Sequence, residues 1–123
     1  MTKKIYITTT LPYLNSVPHI GHALELVQGD VLSRYLKKIH GRENVHFNTG
    51  VDEHGLKIYQ AAQKEGKDTQ IYCDEFAVAW KEFLKIFTIE PDTFWRTTDK
   101  DHKFSASKLW ELSFSKGDIY EKE

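Results

Sequence analysis

Apolar and polar positions along this chain change period several times, and the changes divide it into alternating strand-like and helix-like segments. Residues 4–10, with Ile5-Tyr6-Ile7 followed by three threonines, predict a first strand, and residues 11–18 predict a loop punctuated by Pro12 and Pro18. A helix is expected from about His19 or Ile20 to Ile39. Ile20, Leu24, Val27, Val31 and Tyr35 recur at helical spacing as one continuous apolar stripe, and Gly41 supplies the stop. Val45 to Val51 is a second β-like run, and residues 56–64 form a short helix closed by Gly66. Asp68 is placed to cap a further helix with the aromatic stripe Tyr72, Phe76, Trp80, Phe83 and Phe87.

After Pro91, Thr93-Phe94-Trp95 predicts a short strand. Thr98-x-x-Asp101 then has the form of a capping box, with Asp in place of Glu, opening a helix through Leu109, Leu112 and Lys116 that stops at Gly117. Strands alternating with helices imply an α/β fold with a parallel sheet and crossover helices. Trp80, Phe83, Phe87, Trp95 and Trp110 are assigned to packing, and the lysine clusters at 37–38 and 100–103 to solvated faces.

Composition narrows the class. With 123 residues, 40% hydrophobic and 28% charged, the chain has the make-up of a folded globular domain rather than a disordered tail. No apolar run approaches the ~20 residues of a membrane span, and no secretory signal follows Lys3-Lys4, so a cytoplasmic protein with no membrane partner is expected. A net charge of -1 offers no global attraction to nucleic acid. The single cysteine, Cys73, excludes an internal disulfide and any zinc site built from two or more thiolates, and a buried or half-buried helical thiol is expected.

Candidate chemistry gathers where both predicted parallel strands end. Pro18-His19-Ile20-Gly21-His22 lies between a strand and a helix N-terminus, where free backbone N–H groups and the helix dipole favour anions. His19 and His22 share nearly one helical face, and Gly21 between them lets a flat group such as a base approach the backbone. ATP phosphates fit this pattern, each imidazole donor contributing ~3 kcal/mol to a transition state. Simple helix capping is the plainer role for the same two histidines.

Asp52 follows the second strand and suits an amino-acid ammonium, or else an N-cap for the next helix. Tyr13, in the proline-flanked loop, suits either a small pocket or the core. A metal site from His19, His22, Asp52 and His54 uses acceptable ligand types, with Glu53 the only nearby general-base candidate. Neither a dinucleotide Gly-x-Gly-x-x-Gly fingerprint nor a P-loop occurs.

Three stretches, Tyr6-Ile-Thr-Thr-Thr-Leu-Pro-Tyr13, Pro18-His-Ile-Gly-His22 and Gly50-Val-Asp-Glu-His-Gly55, closely resemble the start of class I methionyl-tRNA synthetases. Leu11-Pro12-Tyr13 with Asp52-x-His54-Gly55 resembles the methionine enzyme more than its valine and isoleucine relatives. The resemblance implies the N-terminal half of a Rossmann-like catalytic domain over 1–117, with 118–123 as the start of a connective insertion. It further implies ATP with Mg²⁺, methionine and tRNA(Met) as substrates of the whole enzyme, which forms methionyl-adenylate by attack of the methionine carboxylate on the α-phosphorus and passes methionine to tRNA. It assigns Leu11 and Asp52 to the methionine ammonium and Tyr13 to the methionine pocket. His19 and His22 are assigned to the phosphates, Gly21 to adenine and Glu25 to the neighbourhood of the adenosine, with Asp30 a weaker candidate or a solvated helix residue. No zinc site is expected within the chain. A Lys-Met-Ser-Lys-Ser loop is missing, so the chain by itself is expected to have little or no activity, as a fragment or one half of a split domain. The alternatives are a small His-x-Gly-His nucleotidyltransferase and a non-catalytic fragment that binds nucleotide or a partner.

Overall fold

The computed structural model describes residues 3–122; the first two residues of the expected half-domain and Glu123 of the expected insertion lie outside the described residues. Three parallel strands form the sheet: β1 (Ile5–Thr8), β2 (Val45–Val51) and β3 (Thr93–Arg96), in spatial order β1-β2-β3. Helix α1 (Ile20–His40) connects β1 to β2, and α2 (Leu56–Lys64) with α3 (Thr69–Ile86) connects β2 to β3. Helix α4 (Lys100–Ser115) follows β3. This is the predicted α/β order, with β1 shorter than the expected 4–10.

β2 is the central strand and is buried at every position except His46. Its polar residues are satisfied across the sheet: Thr49 Oγ1 lies 2.7 Å from Thr9 Oγ1, and Asn48 Oδ1 accepts from Thr93 Oγ1 at 3.0 Å. That pairing removes the cost of burying them. Around β2 the core collects Phe47, Val51, Leu14, Leu26, Ile58, Tyr72, Trp80 and Leu84. Asp68 caps α3 as predicted, accepting from the backbone N–H of Gln70 at 2.8 Å and of Ile71 at 3.2 Å.

Four expectations are corrected. Most of the α1 stripe faces outward: Ile20 is 78% exposed, and Leu24, Val31 and Tyr35 are exposed with it, while Val27 alone packs partly against the core. The face against the sheet is Ala23, Leu26, Asp30 and Ser33. Small residues decide this, because a Cβ on Gly29 would sit 3.0 Å from the Phe47 ring and from Thr9 Cγ2, so the helix lies too close to the sheet for a row of large side chains. Trp110 is 61% exposed on α4, which buries none of its residues, so its packing assignment fails within this chain; Phe87 is also exposed. The Thr98 capping box is absent: Asp99 occupies the N-cap, and the Thr98 hydroxyl instead donates to Glu53. Lys37 is not simply solvated, since its ammonium lies 2.8 and 2.6 Å from the two Asp92 carboxylate oxygens.

Asp92 also accepts from the Phe47 N–H at 2.7 Å. Its partial burial pushes the carboxyl upward, but the Lys37 ammonium and that N–H outweigh burial and hold it below its ordinary value. A depressed carboxylate stabilises the fold above its unfolded pKa and loses that contribution as pH falls through the folded one. Asp92→Asn is therefore expected to lower stability to urea by a constant amount above about pH 5, with the difference from wild type closing below about pH 4. A difference that does not change with pH would show that the ion pair contributes nothing.

Candidate functional site

The site begins at the C-terminal edge of β1 and β2, where open parallel sheets receive ligands. Beyond the strands the chain extends the same pairing: Asp52 N–H donates to Pro12 O at 2.9 Å, and Leu14 N–H donates to Asp52 O at 2.9 Å, so Tyr13 and Asp52 stand side by side. The two motif loops therefore meet, as the sequence requires if β1 and β2 are neighbours. Glu25, in the second turn of α1, accepts from the Thr10 N–H at 2.7 Å and from the Thr10 hydroxyl at 2.8 Å. Leu11 is held between this clamp and the Pro12–Asp52 bond, which sets its backbone from both sides.

An open cleft of about 370 Å³ lies over this junction, lined by Thr10, Pro12, Tyr13, Asn15, Ser16, His19, His22 and Lys57. Tyr13 is 57% exposed at its wall, so it belongs to the cleft rather than to the core. Lys57, in the first turn of α2, and the loop residues Asn15 and Ser16 were not singled out from sequence, because nothing in their spacing distinguishes them from ordinary surface positions. A depression of about 540 Å³ elsewhere is lined by residues already held in ion pairs, such as Arg34, Lys37 and Asp92, and one of about 480 Å³ lies on α4 against Trp110, far from the motif loops in sequence.

His19 and His22 perform the capping role and keep a donor for a ligand. His19 is the N-cap of α1, its Nδ1 accepting from the Gly21 N–H at 3.1 Å, and His22 Nδ1 accepts in return from the His19 N–H at 3.2 Å. The rings stack with centroids 3.9 Å apart. A backbone N–H can only donate, so each Nδ1 is the unprotonated nitrogen and each neutral ring carries its proton on Nε2. Two of the backbone N–H groups expected to meet an anion are thus used by the imidazoles, which leaves the Nε2–H groups as the donors the motif can offer. Trp80 packs against His22, tilted, at 4.8 Å between centroids. Burial, and next the His19 ring, lower the His22 pKa against an opposing pull from Glu25, favouring this neutral donor form.

Gly21 has a structural reason in addition to any ligand. A Cβ there would lie 3.0 Å from His19 Cε1 and 3.1 Å from its Nδ1, so any side chain presses on the capping ring.

Asp52 does not cap α2, whose N-cap is Gly55 without a side-chain bond. Its Oδ1 accepts from the His54 N–H at 2.9 Å and from the Thr97 hydroxyl at 3.2 Å. The adjacent Glu53 points the opposite way: its side chain is 0% exposed and is held by the Arg96 guanidinium and the Thr98 hydroxyl. Arg96 also reaches Asp74, and its pKa is raised, the Glu53 hydrogen bond being the largest cause. A carboxylate so engaged is a structural anion, not a general base.

Asp30 is equally structural. It is buried, accepting from Arg34 Nε at 2.6 Å and from the Glu90 N–H at 3.0 Å, so it is neither solvated nor part of the cleft. Nor do His19, His22, Asp52 and His54 form a metal centre: no three ligand-type side chains gather among the described residues, and His54 Nε2 lies 3.2 Å from the Thr97 carbonyl, to which it donates. Cys73 is buried on α3 and its thiol is pushed by that burial to about 11, which leaves it inert.

A parallel sheet whose first crossover helix opens on His-Ile-Gly-His, with Asp52 directly after its central strand, is a Rossmann-like α/β fold of the class I synthetase type. The chain belongs to the tRNA synthetases of class I (M), matching that family over residues 5–123. It is 44% identical over 117 residues to a methionine–tRNA ligase of Thermotoga maritima, which covers 95% of this chain and 18% of that protein. It is 40% identical over 118 residues to one from Helicobacter pylori, covering 96% of this chain and 18% of the relative. A crystal structure of Mycobacterium tuberculosis methionyl-tRNA synthetase bound by methionyl-adenylate superimposes with a TM-score of 0.89 at 37% identity, covering 96% of this chain and 23% of that one. The chain thus spans about a fifth of the length of these relatives. The resemblance read from the sequence is borne out, and the small nucleotidyltransferase alternative falls away.

Proposed function

We propose that this chain supplies the phosphate-binding and ammonium-binding half of a methionine-activating site, in a protein that forms methionyl-adenylate from methionine and ATP and transfers methionine to tRNA(Met). The observation that carries this reading is the Tyr13–Asp52 bridge, which joins the two motif loops beside a cleft containing both imidazoles. In it Asp52 and the Leu11 backbone receive the methionine ammonium, Tyr13 lines the side-chain pocket, and the Nε2–H groups of His19 and His22 donate to ATP phosphate oxygens. Gly21 admits the adenine, with Glu25 bracing the loop beneath the adenosine.

The chemistry is in-line attack by the methionine carboxylate on the α-phosphorus. Such a reaction needs alignment and charge stabilisation, and no nucleophilic side chain. Mg²⁺ enters with ATP as part of the substrate. The cleft offers N–H, hydroxyl and ammonium groups rather than carboxylates, which suits phosphate oxygens better than direct ligation of a hard cation. Residues 118–123 begin the connective insertion, and the protein acts in the cytoplasm. Among the described residues no helix is long and apolar enough to cross a membrane.

The test is ATP–pyrophosphate exchange by the full-length protein carrying this segment, with calorimetry against a non-hydrolysable methionyl-adenylate analogue. Exchange is expected with methionine in preference to other amino acids. Asp52→Ala is expected to weaken analogue binding about 10- to 100-fold, the value of a hydrogen bond to a charged group. Exchange driven by a different amino acid, or binding indifferent to Asp52, would overturn the reading.

A further inference from the structure

The ends of β2 and β3 run in parallel register, Val51 beside Arg96, and the residues just beyond alternate in direction. Arg96 and Thr98 both turn to the buried Glu53, whereas Thr97 between them turns to Asp52. The buried Thr97 hydroxyl is committed on both sides: it accepts from the Glu53 N–H at 2.8 Å and gives its one proton to Asp52 Oδ1 at 3.2 Å. The Thr97 backbone adds a donor to Val51 O at 3.3 Å and a carbonyl that accepts from His54 at 3.2 Å. Both hydrogen bonds at the Asp52 side chain fall on Oδ1, so they set the carboxylate plane and direct Oδ2 away from them.

From this geometry we infer that Thr97 is a positioning residue for the amino-acid substrate: its hydroxyl orients the Asp52 carboxylate toward a ligand ammonium, with the Glu53–Arg96 pair as the fixed anchor behind it. The inference rests on the proposed function, since it needs Asp52 to meet the ammonium. A hydroxyl that both accepts from a main-chain N–H and donates to the carboxylate has one orientation, so it transmits the rigidity of the sheet to Oδ1. His54 N–H alone leaves the carboxylate free to pivot about a single bond.

The experiment is ATP–pyrophosphate exchange by the full-length protein, with KM measured separately for methionine and for ATP. Thr97→Val is expected to raise the methionine KM about tenfold, with the ATP KM within about twofold of wild type. Thr97→Ser, which keeps the hydroxyl, is expected to restore the wild-type value. Because Thr97 acts through Asp52, adding Thr97→Val to Asp52→Asn is expected to change the methionine KM by less than about twofold further. If valine at 97 unfolds the protein, Thr97→Ala is read against the same three measurements. Equal increases in both KM values, a serine variant as impaired as valine, or full additivity with Asp52→Asn would each reduce Thr97 to a purely structural role. A wild-type protein without methionine-dependent exchange overturns the proposed function and this inference together. An active, Asp52-dependent protein indifferent to Thr97→Val overturns this inference alone.

Discussion

Replacing His22 by alanine in the full-length protein lowers kcat for methionine-dependent ATP–pyrophosphate exchange about 10²- to 10³-fold, the cost of one preorganised donor to a developing phosphate charge. His19→Ala is expected to lose as much. Alanine, however, also removes a cap worth about 1 kcal/mol, so a fall in activity alone does not separate chemistry from folding. His19→Asn separates them. Asparagine is among the best N-caps and its side-chain oxygen can accept from the Gly21 N–H as His19 Nδ1 does, but it has no second nitrogen on the far side of a ring. Thermal stability close to wild type with kcat reduced about 10²-fold is expected. An asparagine variant with full activity would show that the imidazole serves the helix only. The capping role and the proposed phosphate-binding role do not compete, because Nδ1 serves the first and leaves Nε2 for the second.

Arg96→Met is expected to destabilise the fold by about 3–5 kcal/mol in chemical denaturation, because it leaves the Glu53 carboxylate buried without its counter-ion. Thr98 remains as one hydroxyl donor, too little for a charge with no solvent access. That loss is comparable to the entire stability of many domains, so the variant is expected to be partly unfolded at 37 °C. Replacing both partners, Glu53→Leu with Arg96→Met, is expected to recover most of it, since apolar groups of similar volume carry no desolvation cost. If Arg96→Met changes the denaturation midpoint by less than the equivalent of about 1 kcal/mol, the pair behaves as a solvated surface bridge. Arg96 is also joined to Asp74 on α3, so its loss frees the α3–β3 junction as well as the segment that carries Asp52.

The outward stripe on α1 and the exposed aromatic residues of α4 show how far a hydrophobic period can be read. Ile20, Leu24, Val31 and Tyr35 do recur at helical spacing, and the helix they predict is there. Their burial does not follow, because α1 also carries the small-residue face that fits closest to β2. Periodicity locates a helix and an apolar side but does not rank two sides against each other. On α4 the same limit appears in Trp110, large and apolar yet without a partner face among the described residues.

What the sequence by itself determined is local: the alternation of strands and helices, the start of α1 at the His-Ile-Gly-His motif with its two histidines, and the Asp68 cap. Each depends on neighbours within a few positions, where backbone preferences and side-chain period act directly. Only the tertiary structure decided the roles of Asp30, Glu53, Arg96 and Thr97. Partners that fix those roles lie 43 to 60 residues away along the chain, Glu90 for Asp30, Arg96 for Glu53 and Asp52 for Thr97, and a carboxylate pair written Asp52-Glu53 has no mark saying which of the two is neutralised inside. Strand alternation at the ends of β2 and β3 makes that choice, and it exists only once the two strands are paired.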